Sequence, residues 1–254
     1  MERHLAWDGC HNVRDLGGLS TASGLRTRWG SVVRSDTPDR LTEAGWAAAL
    51  AHGVRTIVDL RTPGEHHAGT GHRPPEITVV PVPLDEPGDP GRGPHGGTPL
   101  YLRPFMERFP GRCARALRAI AHARPGGVLV HCVAGRDRTG LITLLLLALA
   151  GVAREHIVAD YELSAARLRP LYALLGEPDD DLRVRARLDA TGTTTREVVG
   201  GLLDGLDVEA YLTAAGLTAS DLAALRARLT MVDEGRGQDA SVVVAVEDRG
   251  GAAR

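Results

Sequence analysis

One segment of the chain combines, without a gap, the signals of a strand, a tight loop and a helix. Residues 127–130 (Gly-Val-Leu-Val) form a short buried-strand pattern, residues 131–140 (His-Cys-Val-Ala-Gly-Arg-Asp-Arg-Thr-Gly) a polar loop, and residues 141–150 an apolar helical run. A strand that leads through such a loop into a helix directs unpaired backbone N–H groups and the positive end of the helix dipole at one point. The segment predicts that residues 131–140, called the signature loop below, bind an anion.

The spacing within the signature loop is specific enough to indicate phosphate chemistry. Cys132 precedes Arg138 by six positions, a pattern that three cysteines and 30 arginines in 254 residues would produce by chance in about one chain in three. Requiring His131 before the cysteine and Gly135 three positions after it lowers that frequency to about two in a thousand. The other two cysteines lack the pattern. Cys132 is therefore the candidate nucleophile.

Each residue of the signature loop has an expected chemical task. The positive end of the following helix and the two neighbouring arginines would hold Cys132 as a thiolate. Thr139 would donate a hydrogen bond from its hydroxyl to the sulfur. The guanidinium fork of Arg138 matches two phosphate oxygens, and His131 would orient the loop through ring hydrogen bonds. We expect the helix to open near Thr139 and Gly140. The expected phosphate-binding residues are Val133, Ala134, Gly135, Arg136, Arg138 and Thr139.

The leaving oxygen of a phosphate ester needs a proton, and two carboxyl groups compete to supply it. Asp137 lies inside the signature loop, one residue before the phosphate-binding arginine. Asp85 begins a Pro/Gly-rich loop over 85–99, from which an acid could swing over the phosphate. We favour Asp137 as the general acid and keep Asp85 as the alternative.

The decapeptide resembles the signature of the protein tyrosine phosphatase superfamily, and its Gly-Arg-Asp-Arg-Thr-Gly core is similar to a bacterial tyrosine/dual-specificity branch that includes secreted mycobacterial enzymes and related lipid phosphatases. Residues 12–18, 32–35 and 57–62 resemble three further motifs of that branch. The resemblance implies a phosphocysteine intermediate, a general acid at Asp137 and helical lid elements over the site. The branch usually has lysine at the position of Arg136, where it is linked to activity on phosphoinositides.

Composition and charge bound the remaining possibilities. A net charge of −2 gives no general attraction to nucleic acid, and three cysteines do not make a disulfide framework. The apolar run at 141–152 is far shorter than the roughly 20 residues of a membrane span, so no integral membrane segment is expected. No signal-peptide core is present at the start, so we expect a cytoplasmic protein, with non-classical secretion as the alternative.

Alternating strand and helix patterns predict an α/β fold, with a central parallel or mixed sheet flanked by helices. We expect helices over 43–51, with Thr42 as N-cap, and over 99–123, with an interruption at Pro110 and Gly111; strands are expected over 54–60 and 77–84. Further helices are predicted over 154–168, 194–203, 208–215 and 220–229. Residues 1–232 would form one phosphatase domain with a helical lid or annex within 154–232, and 233–254 a disordered tail.

Several other residues are better explained by structure than by chemistry. His66, His67 and His72 are interpreted as solvated loop residues, and no metal or other cofactor is expected. Arg61 and Glu65 are expected to tie a loop to the sheet, Arg14 and Asp15 to belong to the scaffold, and Tyr161 and Ser164 to the core or surface of a helix. The arginines at 183, 185 and 187 are interpreted as a solvated face.

The sequence thus predicts a cysteine-dependent phosphomonoesterase acting on phosphotyrosine, and on phosphoserine or phosphothreonine, in a protein or a small phosphoester. A phosphoinositide phosphatase is the nearest alternative. A sulfur-transfer or arsenate-reducing enzyme would use a similar loop, but the Asp137-Arg138-Thr139 sequence favours phosphoryl hydrolysis. A pseudophosphatase that only binds phosphorylated ligands is the alternative without catalysis.

Overall fold

A mixed sheet forms the centre of the molecule. The structure is a computed structural model that describes residues 2–66, 71–86, 89 and 95–231. Within these ranges the sheet has the spatial order β1–β3–β6–β4–β5, in which β1 runs antiparallel to β3 and the other neighbours are parallel. A small second sheet pairs β2 with β7 in antiparallel fashion. The strands are β1 (Arg14–Asp15), β2 (Arg26–Thr27), β3 (Val32–Ser35), β4 (Val54–Asp59), β5 (Thr78–Pro81), β6 (Gly127–His131) and β7 (Thr230–Met231).

Helices cover both faces of the large sheet, which confirms the predicted α/β fold. Trp46 and Ala49 of α1 pack in a cluster on one face, and the later helices contribute to a larger cluster on the other. The helices of the described residues are α1 (Glu43–Ala51), α2 (Leu102–Arg108), α3 (Pro110–Ala121), α4 (Asp137–Leu149), α5 (Arg154–Leu175), α6 (Asp180–Asp189), α7 (Thr195–Asp204), α8 (Val208–Ala214) and α9 (Ala219–Leu229). None of them is long and apolar enough to cross a membrane.

Local capping explains why several predicted helices begin where they do. The Thr42 side chain accepts a hydrogen bond from Gly45 N at 3.2 Å and starts α1, as predicted. Thr194 and Glu197 form a capping box at α7, in which each side chain accepts from the other's backbone N–H. These reciprocal bonds satisfy N–H groups that a helix end leaves unpaired.

The structure corrects the predicted ends of several other helices and strands. Helix α4 opens at Asp137, two residues before Thr139, so the acidic candidate occupies its first turn. The interruption between α2 and α3 falls at Phe109, and Pro110 is the first residue of α3, where its missing N–H costs nothing. Strand β5 covers only 78–81 of the predicted 77–84.

Helix α5 was predicted to end at Leu168 but continues to Leu175. Buried Leu171 extends its apolar face past Pro170, and Gly176 ends it in the left-handed conformation, with φ of 68°. Helix α6 was not predicted; Asp179 caps it by accepting from Asp181 N at 3.0 Å. The expected tail over 233–254, His67, and residues 87–88 and 90–94 of the loop over 85–99 lie outside the described residues.

Candidate active site

The signature loop leaves the carboxyl end of the central strand β6. Ser35 and Asp59, the last residues of β3 and β4, lie in register with His131 on either side. The loop is bonded to the chain that follows both neighbours: Leu60 N donates to His131 O at 3.0 Å, and Thr37 N donates to Val133 O at 2.8 Å. Because β3, β6 and β4 are parallel, the signature loop lies in a crevice at the carboxyl ends of the strands, between the loops that follow β3 and β4.

The peptide carbonyls of the signature loop are hydrogen-bonded to groups outside the loop's concave side. Because these carbonyls are hydrogen-bonded, the N–H groups of the tight turn are the backbone groups left to meet an anion. Gly135 adopts φ of +67°, and a Cβ there would come within 2.2 Å of Ser35 O, so only glycine fits. The donors are His131 Nδ1 to Cys132 O (2.9 Å), Thr37 N to Val133 O (2.8 Å), Asn12 Nδ2 to Ala134 O (3.0 Å) and Arg34 Nη2 to Gly135 O (2.7 Å).

Cys132 lies at the base of this loop and is 4% exposed. His131 behind it is fully buried, and burial lowers its pKa to about 4 against the opposing effect of Asp59. The imidazole is therefore neutral at pH 7 and donates through Nδ1 to the Cys132 carbonyl, which fixes the backbone at the sulfur.

Both terminal nitrogens of Arg138 are bonded to Glu65, a residue for which the sequence analysis expected a structural role. Glu65 Oε1 and Oε2 each accept from one terminal nitrogen of Arg138 at 2.6 Å. Burial alone would raise the pKa of Glu65, but the bonds from Arg138 and Thr62 lower it to about 2, so the pair is ionised at neutral pH. The fork is thereby fixed at its far end, and Glu65 directly contacts the arginine that the sequence predicts to bind phosphate.

Two buried donors of the signature loop remain unpaired among the described residues. Arg138 Nε and Thr139 Oγ1 are both buried and have no hydrogen-bond partner among the residues that the structure describes. The bond expected from Thr139 to the sulfur is thus not formed. Buried polar groups are paired in most proteins, so two neighbouring orphan donors mark a place where an acceptor fits.

The two candidate acids occupy different sides of the loop. Asp137 Oδ1 accepts from Tyr161 Oη at 3.1 Å and from Arg136 Nε at 3.3 Å. Asp85 Oδ2 lies 3.5 Å from Arg138 Nη1, and its Oδ1 accepts from Tyr101 Oη at 3.3 Å. The structure therefore places both carboxyl groups within reach of the loop. Tyr161, which the sequence assigned to the core or surface of α5, orients Asp137.

Arg136 connects the signature loop to α6. Its Nη2 donates to Asp180 Oδ2 and to Gly97 O, each at 2.7 Å. Arg183 bonds the same Asp180, so at least one of the three arginines interpreted as a solvated face takes part in the contact. Helix α6 covers a cavity of about 460 Å³ whose wall includes Arg136, Tyr161, Val184 and Leu188.

Other candidates lie away from the loop or behind it. Asp15 accepts from Gly30 N at 2.8 Å and from His52 Nε2 at 2.7 Å, as a scaffold residue would. Arg61 is held by Asp59 and Asp39 beside the sheet. His66 Nε2 lies 3.6 Å from Asp59, and the described residues contain no group of three or more ligating side chains that could hold a metal ion.

Two known proteins with similar sequences are named as phosphatases. A protein of Cupriavidus necator named as a tyrosine-protein phosphatase is 37% identical over 174 residues, covering 63% of this chain and 62% of that protein. The triple specificity protein phosphatase PtpB of Mycobacterium tuberculosis is 30% identical over 202 residues, covering 66% of this chain and 72% of that protein. The chain thus spans less than two thirds of the Cupriavidus protein. A crystal structure of TpbA from P. aeruginosa covers 85% of this chain and 100% of its own at 17% identity and a TM-score of 0.42, a likeness too slight to indicate anything further.

The family match is broader than any single relative. The model described as the tyrosine phosphatase family matches residues 5–231, which include every strand and helix named above. The chain belongs to the tyrosine phosphatase family.

Proposed function

We propose that this protein is a cysteine-dependent phosphomonoesterase that hydrolyses phosphotyrosine, and also phosphoserine and phosphothreonine, through a phosphocysteine intermediate. The observation that carries the proposal is the signature loop itself, in which the four carbonyls from Cys132 to Gly135 are all hydrogen-bonded and Cys132 is buried. The N–H groups of the turn, together with Arg138 Nε and Thr139 Oγ1, would supply donors for the three non-bridging oxygens of a phosphate.

In the first step the Cys132 thiolate attacks phosphorus in line with the ester bond. The S–P bond forms as the P–O bond to the leaving group breaks, and Asp137 gives its proton to the departing oxygen. Both described bonds to this carboxyl reach Oδ1, so Oδ2 is the oxygen assigned to the proton. Arg138, fixed by Glu65, stabilises the charge on the transferring group.

In the second step water attacks the phosphocysteine. Asp137, now ionised, takes a proton from the water as the new P–O bond forms and the S–P bond breaks. Inorganic phosphate leaves, and the Cys132 thiolate and the acid are regenerated. The residues of the chain therefore close the cycle with water as the second substrate.

The phosphotyrosine assignment is supported by two relatives, which are named as a tyrosine-protein phosphatase and a triple specificity protein phosphatase. The environment of Arg136 bears on the phosphoinositide alternative. Its guanidinium is bonded to Asp180 and to Gly97 O, so it is engaged within the protein. This favours a substrate with a single phosphate ester over one that needs Arg136 for a second phosphate.

The proposal is tested with Cys132→Ser in the full chain. We expect p-nitrophenyl phosphate turnover to fall below detection while binding of inorganic phosphate or tungstate, measured by calorimetry, is retained, because the loop amides and Arg138 are untouched. Cys113→Ser, at a buried cysteine in the core on α3, is the control and should keep its activity. Full turnover by Cys132→Ser would overturn the mechanism, whereas a wild-type protein that binds phosphate without turnover would be a pseudophosphatase. A panel of phosphopeptides and phosphoinositides would then rank the substrates.

A further inference from the structure

A buried charge cluster lies on the carbonyl side of the signature loop. Asp160 of α5 is 2% exposed and is surrounded by three arginines from the N-terminal part of the chain. Its Oδ2 accepts from Arg34 Nη1 at 2.7 Å, and its Oδ1 accepts from Arg14 Nε at 3.1 Å and Arg3 Nη2 at 2.5 Å. Ser164, one helical turn later, accepts from Arg14 at 3.0 Å and from Arg34 at 3.4 Å.

The same two buried arginines reach the signature loop. Arg34 Nη2 donates to Gly135 O at 2.7 Å and to Arg136 O at 3.4 Å. Arg14 Nη1 donates to Asn12 Oδ1 at 2.5 Å, and Asn12 Nδ2 donates in turn to Ala134 O at 3.0 Å. The carbonyls of Ala134, Gly135 and Arg136 are therefore connected, through these hydrogen bonds, to Asp160 and Ser164 on one face of α5.

The charge balance of the cluster is unusual for a purely structural element. Two guanidiniums that are both 1% exposed share one carboxylate, which leaves positive charge in excess. Burial and the neighbouring Arg34 lower the pKa of Arg14 to about 9, so both disfavour the charged form of Arg14. Apolar residues of similar volume generally stabilise an interior at least as well as buried ions do. The excess charge lies directly behind the loop, where a bound phosphate dianion would complement it.

We infer that Asp160 and Ser164 are positioning residues, which set the guanidinium forks of Arg34 and Arg14 and thereby turn the loop amides toward phosphate. The inference rests on the proposed function of the signature loop. Neither residue would touch the substrate, since both act through the arginines. Loss of either should therefore weaken phosphate binding and the chemical step together.

The test compares Asp160→Asn and Ser164→Ala with wild type. We measure kcat and KM for p-nitrophenyl phosphate, the dissociation constant of inorganic phosphate, and Tm. We expect kcat and phosphate affinity to fall about tenfold or more in Asp160→Asn, and by a smaller factor in the same direction in Ser164→Ala, because misplaced donors lose transition-state contacts. If Asp160→Asn does not fold, Ser164→Ala, which removes one hydroxyl, decides the outcome.

Two further variants separate positioning from stability. Asp221→Asn is the matched control, since Asp221 is also a buried carboxylate paired with an arginine. It lies at the start of α9, and its side chain is bonded to Arg118 of α3, to His122 and to Thr218 N. Asp221→Asn should lower Tm and leave kcat and phosphate affinity unchanged. Arg34→Lys keeps the charge and loses the fork, so it should resemble Asp160→Asn.

Variants that lower only Tm, with kcat and phosphate affinity unchanged, would make the cluster structural and overturn the inference. Failure of the proposed function gives a different result. If wild type does not turn over p-nitrophenyl phosphate, phosphate affinity still reports whether Asp160 and Ser164 position the loop.

Discussion

At the scale of single residues, the site raises the question of which carboxyl group, Asp137 or Asp85, gives its proton to the leaving oxygen. Asp137 is held by Tyr161 and Arg136 in the first turn of α4, whereas Asp85 lies 3.5 Å from Arg138. We predict that Asp137→Asn lowers kcat by about 10²–10⁴, the usual contribution of a general acid, and that Asp85→Asn lowers it less. An acid must be protonated to act, so the decrease of kcat at high pH should disappear in Asp137→Asn.

The comparison uses pH–rate profiles of both variants on p-nitrophenyl phosphate. A substrate with a poor leaving group, such as phenyl phosphate, should enlarge the deficit of Asp137→Asn, because it depends more on protonation. The reverse order, in which Asp85→Asn loses more activity and its high-pH decrease, would move the general acid to the loop that Asp85 begins.

The sequence proposes Cys132, Asp137 and Arg138 as the reacting residues, and it did not predict the contacts that hold them in place. Cys132 and Arg138 are six positions apart in one turn, so their spacing is visible in the chain. Glu65 meets Arg138 across 73 positions and Asp160 meets Arg34 across 126. Such contacts depend on which strands and helices become neighbours, and a single carboxylate in a polar segment carries no local signal of that. The sequence placed Arg14 in the scaffold, and Asn12 and Arg34 only within motifs. Their bonds to the loop and to Asp160 give those motifs a physical reason.

At the scale of elements, α6 is joined to the signature loop by one ion pair. Asp180 in its first turn binds Arg136 at 2.7 Å, and α6 covers the 460 Å³ cavity. We predict that Asp180→Asn loosens α6, so that trypsin cleaves faster at its exposed arginines. We also predict that KM for p-nitrophenyl phosphate falls several-fold, because Arg136 loses one of its two carboxylate partners and keeps only Asp137.

The control for that prediction is Asp204→Asn, which breaks an exposed ion pair with Arg154 between α7 and α5. It should change neither the cleavage rate nor KM. Equal cleavage rates and equal KM for Asp180→Asn and wild type would show that the Arg136 contact does not hold α6 in place.

Element types were predicted better than element ends. Helix α1 follows from Thr42 at its start and Gly53 at its stop, which are local signals. The ends of α5 and the presence of α6 depend on tertiary packing: Leu168, Leu171 and Leu188 bury their side chains although Pro170 and three nearby arginines argue locally for an end or a solvated face.

At the scale of the whole molecule, the C-terminal helices share the core of the catalytic sheet. Leu212, Leu222 and Leu225 of α8 and α9 lie in the same cluster as Val128 and Val130 of β6 and the buried face of α4. Strand β7 also pairs with β2, which follows the first motif of the chain. We therefore expect 1–232 to behave as one folding unit, as the sequence suggested.

This expectation is tested with Leu225→Ala, at a fully buried position on α9. Loss of its side chain should lower the free energy of unfolding by about 2–5 kcal/mol through lost burial and the cavity left behind. Urea unfolding is followed by far-UV circular dichroism and, in a Trp29→Phe background, by fluorescence of Trp7 and Trp46 in the cluster on the opposite face of the sheet. One cooperative unit requires both midpoints to shift together, because α9 cannot then unfold without the sheet. Leu174→Ala, at a leucine that is 70% exposed, should change stability by less than about 0.5 kcal/mol. A circular dichroism midpoint that shifts while the fluorescence midpoint stays would divide the molecule into two units, with the helical annex folding apart from the sheet that carries Cys132.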